Sequence, residues 1–451
     1  MPPHQLLSLE RLALEECGKL LSRILHSSVA TEEEKFNQII QNCESLLELP
    51  SIFNNDITAV LLRYLDGQWM HLNWQKERMQ IVAVSVIHPK AEVIDITSCC
   101  DIGKYVMDAI TRLSNLIQLF PNCNTLRNVN VSTTLKKFIC RLSCDDQTLG
   151  ALTTCTGIQH VDVRASWEVT DKSLSTLLGL RQLKYLNVDG TSISKNGLSE
   201  LLRSFCNRRE VSPLCGFYCS DMSTEQLHLL IKCTHLTHIG MEVSKCDVSE
   251  LKSLGHLQSV RLRVCSFDNL RKIFKDIEGK LYEIHLERIK EVDINFIGKT
   301  FPKLERLTLK DCCYRSVVLS GRIKPLPAFQ TLLILKLFNV KSELLSYFLH
   351  TCCNLIEFVI DTGFKLEESF NELPTIGSVK KVEKFVLYTR SNRILSKSSM
   401  EELFKNWRSL KVFKNAGLER EDLNIDSLKE EIRQTYPKID VTVTTTRWPS
   451  L

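Results

Sequence analysis

The sequence predicts an α/β solenoid in which each turn contributes one short parallel strand and one helical return. Three observations predict it. Ile158-Gln159-His160-Val161-Asp162-Val163 and Leu183-Lys184-Tyr185-Leu186-Asn187-Val188 share the spacing apolar-x-x-apolar-x-apolar and begin 25 residues apart. The same phrase starts again at Leu126, Leu236, Leu257, Leu281, Leu304, Leu332, Leu355 and Val382, with a degraded copy near Leu410. Between phrases, runs such as Leu174, Leu177, Leu178 and Leu198, Leu201, Leu202 have helical spacing. Each phrase is a strand with one apolar face, and each run is a helix able to cover that face. A single unit cannot bury its apolar side, so units of this period stack as a leucine-rich-repeat solenoid. The expected form is a curved parallel sheet on the concave side, helices on the convex side, and an N-terminal helical module.

The chain begins with that module. Leu9, Leu12, Ala13, Cys17, Leu20, Leu21, Ile24 and Leu25 lie on one stripe of a helix spanning 6–25. A second helix follows Thr31, whose hydroxyl forms a capping box with Glu34, and it carries Phe36, Ile39, Ile40, Cys43 and Leu46. Pro50, after Leu49, suits the first turn of a third, with Ile52, Phe53, Ile57, Val60, Leu61 and Leu65 on its apolar face. Helices in this place also serve as the end cap that a solenoid needs.

The repeat array comes next. The gap from Leu183 to Leu236 spans two periods, with a poor copy around Val211 to Leu214 counted as a hidden repeat. The ninth position of the phrase, where such repeats prefer residues that bond backbone in the turn, carries Thr191, Cys265 and Cys312. Helical connections suggest an intracellular, strongly curved type. After Val382 to Leu387 the array closes, and a charged helix from Leu423 to Tyr436 with the strand-like Ile439 to Val443 caps it. The expected domains are 1–70 (helical module), 71–415 (solenoid) and 416–451 (cap).

Composition narrows the function. A net charge of +5 over 451 residues is too small to imply nucleic-acid or membrane-surface binding. The 18 cysteines are scattered, many at apolar repeat positions, and no signal-peptide pattern precedes them, which reads as a reducing compartment, cytoplasm or nucleus. The adjacent pairs Cys99–Cys100, Cys312–Cys313 and Cys352–Cys353 lack the spacing of a zinc loop, so no metal or cofactor is expected. No apolar run approaches the roughly 20 residues of a membrane span. Nor is there a GxSxG elbow, a GxxxxGK[ST] loop or an HExxH helix, and the expectation is a binding protein rather than an enzyme.

Ser8-Leu9-Glu10-Arg11-Leu12-Ala13-Leu14-Glu15-Glu16-Cys17 resembles the elongin-binding box of SOCS-box receptors, with Ala13 where Cys is commoner and Cys17 where an aliphatic residue is usual. Leu49-Pro50-Ser51-Ile52 followed by Leu61-Leu62-Arg63-Tyr64-Leu65 resembles the cullin-selecting half of such boxes. With Ile81 to Val86 and Val93 to Ile96 leading into the repeats, roughly the first 400 residues resemble the Zyg-eleven and Zer family of cullin ubiquitin-ligase receptors. That resemblance implies adaptor binding to elongin B/C through Leu9, Ala13 and Cys17, and to a cullin through Leu49 and Pro50. A buried Leu9 would be worth about 2 to 3 kcal/mol. The family continues into an armadillo-type domain that reads small N-terminal residues of substrates, whereas this sequence ends at Leu451, and that specificity is not carried over. Leu49 to Leu65 also resembles the start of an F-box, which would recruit a Skp adaptor instead, and a ligase-independent leucine-rich-repeat scaffold whose N-terminal helices are only a cap is the other alternative.

The remaining strand positions point into the concave surface, where repeat proteins bind partners. They include Arg261, Arg263, His285, Glu287, Arg306, Lys310, Lys336 and Phe338, with Glu283 and Asp311 as further acidic partners. Arginine with an occasional aromatic suits a protein partner, a folded surface or an acidic peptide. A mutually paired, solvated charge surface is the plain alternative.

Overall fold

The computed structural model describes residues 31–47, 76–96, 113–121, 133–207, 214–245, 247–315, 329–340, 342–361, 381–393, 395–418, 431–432, 434–436 and 438–444, with single positions at 16, 20, 23, 55, 58, 59, 61, 62, 106, 110 and 427. The chain divides into two compact units, Met1–His235 and Leu236–Leu451.

The first unit opens with α1 (Glu32–Leu47) and α2 (Lys76–Ser85). Thr31 and Glu34 form the predicted capping box: the Glu34 N–H donates to Thr31 Oγ1 at 3.2 Å and the Thr31 N–H to Glu34 Oε2 at 2.7 Å. These bonds, backbone first, hold the Glu34 carboxyl below its usual range. Ile39 and Cys43 are buried on the face the periodicity marked. Six three-residue strands follow: β1 (Val93–Asp95), β2 (Gln118–Phe120), β3 (Lys137–Ile139), β4 (His160–Asp162), β5 (Tyr185–Asn187) and β6 (Gly216–Tyr218). All pair in parallel and in sequence order. The returns are α3 (Asp146–Gly150), α4 (Leu174–Gly179), α5 (Lys195–Asn207) and α6 (Thr224–Leu230).

The second unit continues with longer strands: β7 (His238–Glu242), β8 (Ser259–Ser266), β9 (Glu283–Lys290), β10 (Arg306–Lys310), β11 (Ile334–Phe338), β12 (Glu357–Asp361), β13 (Lys384–Arg393), β14 (Val412–Leu418) and β15 (Asp440–Thr444). These too are parallel and sequential. Its helices are α7 (Phe267–Asp276), α8 (Ile294–Thr300), α9 (Ser342–Thr351) and α10 (Lys397–Asn406). Helices pack on the apolar side of the strands: Phe404 of α10 meets Phe413 of β14 with centroids 5.2 Å apart, and Trp407 beyond it lies 4.7 Å from Phe385 of β13. The fold is therefore the α/β leucine-rich-repeat solenoid.

Every phrase from Ile158 onward begins two residues before a strand, and its apolar residues are buried. The hidden repeat is β6, whose phrase is Leu214, Phe217 and Cys219. The copy placed at Leu126 lies outside the described residues. Described strands on either side of it start from phrases at Leu116 and Leu135. The strand-like Ile439 to Val443 becomes β15, paired with β14.

The repeats are joined by a forked ladder. At the start of most strands two successive N–H groups donate to one carbonyl of the preceding turn: Gln159 and His160 to Lys136, Lys184 and Tyr185 to Gln159, Glu305 and Arg306 to Tyr282, Leu333 and Ile334 to Glu305. At β1 the acceptor comes from the helical module. Asn55 Oδ1 accepts the N–H groups of Glu92 and Val93 at 2.9 and 3.1 Å. A side-chain amide thus takes the place of a preceding repeat and satisfies the donors of the edge strand. Thr58, one turn on, accepts from the His88 N–H at 3.1 Å through its hydroxyl.

Candidate protein-binding face

Strand alternation builds the face. On β8 to β11 the residues Val260, Leu262, Ile284, Leu286, Leu307, Leu309, Leu335 and Leu337 point to the helices and are buried. Their neighbours in sequence therefore point to the other side. In register these form rungs: Arg261 beside His285, Arg263 beside Glu287, Glu287 beside Lys310, and Lys310 beside Phe338. Strand neighbours lie about 4.8 Å apart, so residues on four consecutive strands become one surface. Arg261, Arg263, His285, Glu287, Arg306, Lys310, Lys336 and Phe338 all fall on it.

Glu287 is the centre of this surface. Its side chain is 9% exposed and sits within ion-pair range of three cations, Lys310 Nζ at 3.4 Å, Arg261 Nη2 at 3.6 Å and Arg263 Nη1 at 4.0 Å, with the His285 Nε2 also at 4.0 Å. These four side chains are between 17% and 24% exposed. One carboxylate cannot neutralise Arg261, Arg263 and Lys310 together. Arg306 is exposed on the neighbouring strand, and Lys336 pairs with Glu357 at 3.6 Å. Across β8 to β11 this side holds five fixed cations, Arg261, Arg263, Arg306, Lys310 and Lys336, against the carboxylates Glu283 and Glu287. The face is partly paired and still net positive, which favours an acidic counterpart.

Two expectations change. Asp311 does not join the cation cluster; it occupies the turn after β10 with φ 52°, and its carboxylate accepts from Asn339 Nδ2 at 3.1 Å. Glu357, absent from the expected acids, bridges Lys336 and Lys384 at 3.6 and 3.2 Å. Its signal was its place two residues after Leu355, the position that Glu283 and Arg306 hold in their own repeats.

The ninth-position residues act in the turn. Thr191 Oγ1 donates to the Val188 carbonyl at 2.8 Å, and the Cys312 thiol to the Leu286 carbonyl at 3.5 Å. Cys265 is an apolar filler whose thiol burial pushes up to about 12. Ser166, in the same position, was missed: its hydroxyl donates to Cys140 and accepts from the Cys144 N–H. Among the described residues no group of His, Cys, Asp and Glu is placed to hold a metal ion, and no helix is long and apolar enough to cross a membrane. The adaptor-binding residues Leu9, Ala13, Cys17, Leu49 and Pro50 lie outside the described residues.

No family model matches the chain. Among solved structures it is similar to a chain of the yeast Rad7 and Elc1 complex, at 14% identity and TM-score 0.48 over 92% of this chain and 98% of that one. It is also similar to an internalin of Listeria monocytogenes (14%, TM-score 0.32, 77% and 89%). A leucine-rich-repeat protein of Leptospira interrogans is a third (13%, TM-score 0.30, 74% and 91%). At these identities the likeness concerns the fold, which the sheet and its register establish independently.

Proposed function

We propose that this chain is a non-catalytic substrate-recognition subunit of a cullin-RING ubiquitin ligase, acting in the cytoplasm or nucleus. Its N-terminal helices bind an elongin B/C adaptor through Leu9, Ala13 and Cys17 and a cullin through Leu49 and Pro50. The open face of the second unit holds a protein substrate. The observation that carries the reading is the joining, in one chain, of a box-like N-terminal sequence with a repeat sheet that displays Arg261, Arg263 and Lys310 around a single buried carboxylate and Arg306 on the same side. A leucine at a helix–adaptor contact and arginines at the centre of a protein face are the residue types that dominate such interfaces.

The test is binding of the purified full chain to recombinant elongin B/C, with Leu9→Ser alongside. The proposal expects a complex that survives size-exclusion chromatography with wild type and is lost with Leu9→Ser, while circular dichroism is unchanged. A complex with a Skp adaptor in its place would transfer the adaptor role to Leu49 to Leu65. Binding to neither would overturn the receptor reading.

A further inference from the structure

Cys206 and Cys233 are brought together from neighbouring returns of the first unit. Cys206 lies in the last turn of α5, Cys233 three residues beyond α6, and their sulfurs are 3.7 Å apart. A disulfide bond measures about 2.05 Å, so each sulfur has less than an ångström to travel. The two helices are held in place by a buried residue: Gln226 Nε2 donates to the Lys195 carbonyl at 2.7 Å and to Ser199 Oγ at 3.2 Å, while its Oε1 accepts the Ser223 N–H at 2.8 Å. The sulfurs therefore meet by construction of the helix pair.

We propose that Cys206 and Cys233 form a dithiol that hydrogen peroxide oxidises to an intrachain disulfide, fastening α5 to the segment after α6. The two thiols divide the work by environment. Cys206 is partly exposed, whereas Cys233 is 2% exposed. The hydrogen bond with Cys233 holds the Cys206 thiol below its ordinary value against burial, and the Lys232 ammonium adds to that. Its thiolate is the nucleophile. Elsewhere Cys155, Cys265, Cys312 and Cys352 are pushed up by burial, and Cys144 by its bond with Cys140 and then by burial.

In the first step the Cys206 thiolate attacks one oxygen of hydrogen peroxide; an S–O bond forms, the O–O bond breaks, and hydroxide leaves to become water. Cys206 is now a sulfenic acid. In the second step the Cys233 sulfur attacks the Cys206 sulfur; the S–S bond forms, the S–O bond breaks, and a second water leaves with the Cys233 proton. Two thiols are oxidised, one peroxide is reduced to two waters, and a thiol reductant reverses the bond by exchange.

The experiment treats the purified full chain with stoichiometric hydrogen peroxide at neutral pH, blocks remaining thiols with N-ethylmaleimide, and maps peptides by mass spectrometry. The expected product is a peptide pair joined at Cys206 and Cys233, lighter by two hydrogens, lost on reduction, and accompanied by a rise of a few degrees in the thermal midpoint. In Cys233→Ser the Cys206 sulfenic acid persists and is captured by dimedone. The proposal is overturned if wild type retains both residues as maleimide adducts after treatment, or if other cysteine pairs join while these two do not. The wild-type map alone decides this, whatever the fate of the variant.

Discussion

A single backbone position recurs through the molecule. Seven residues after the start of their phrases, Leu142, Ala165, Gly190, Val264, Arg288, Asp311 and Asn339 all have φ between 52° and 71°. Only one of them is glycine, so the turn was invisible to a search for glycine; inter-strand bonding and packing impose the left-handed residue whatever its type. Opposite predictions follow at equivalent places. Gly190→Ala adds a Cβ 3.2 Å from Ala165 Cα at φ 70° and should lose about 1 to 2 kcal/mol. Val264→Asn, replacing a β-branched residue with one that tolerates this conformation, should gain about 0.5 to 1 kcal/mol. Thermal midpoints of the two variants against wild type check both signs. Glu287→Gln removes the shared counter-charge of Arg261, Arg263 and Lys310 and should cost about 1 to 2 kcal/mol. Partial exposure of those cations keeps the figure below that of a sealed ion pair, and added salt should shrink it.

At the scale of elements, the edge strand β1 depends on Asn55. Its Oδ1 accepts the two N–H groups whose counterparts at most later strands donate to a preceding carbonyl. Asn55→Leu leaves both without that acceptor and should destabilise the first unit by about 1 to 2 kcal/mol, whereas Asn55→Asp keeps an acceptor and should restore most of it. Faster amide exchange at Glu92 and Val93 in the Leu variant alone is the readout. Titration links elements too. His160, stacked on Tyr185 of the next strand, and His238, bonded through Nε2 to Tyr282 Oη at 2.9 Å, are both held below 6.5 by burial first. The unfolded chain therefore binds more protons than the folded one in the window between the depressed and ordinary values. Stability is full above about pH 6.5 and falls as pH drops through that window. Melts at about pH 7.5 and 5.5 should show the loss, and His160→Gln with His238→Gln should flatten it.

Phrases with leucine, isoleucine, valine, methionine or phenylalanine in their apolar places, from Ile158 to Val382, announced their strands. Those at Ala91, Leu116 and Leu135 did not, because Ala91, Pro121 and Cys140 fill places where larger apolar residues are the cue. The same limit hid Asn55, whose polar side chain reads as a helix surface until the edge strand is seen beside it. Charges on the open face were legible because alternation alone assigns the side. Their pairing was not, since Glu287 meets Arg261 and Lys310 from two different strands, 26 and 23 positions away in the chain.

For the whole molecule, the proposed function assigns recruitment and recognition to different segments, so they should fail separately. Leu9→Ser is expected to spare substrate binding and abolish adaptor binding; Arg261→Glu with Arg263→Glu is expected to do the reverse. The reversed charges turn a net positive patch against an acidic counterpart. The most direct measurement is quantitative proteomics of ubiquitylated peptides together with affinity capture in cells expressing wild type, Leu9→Ser or the double arginine variant. The account predicts a protein that wild type captures and whose ubiquitylation rises with it, that Leu9→Ser captures without ubiquitylation, and that the arginine variant fails to capture while still holding elongin. Ubiquitylation of captured proteins that is indifferent to both substitutions would contradict it.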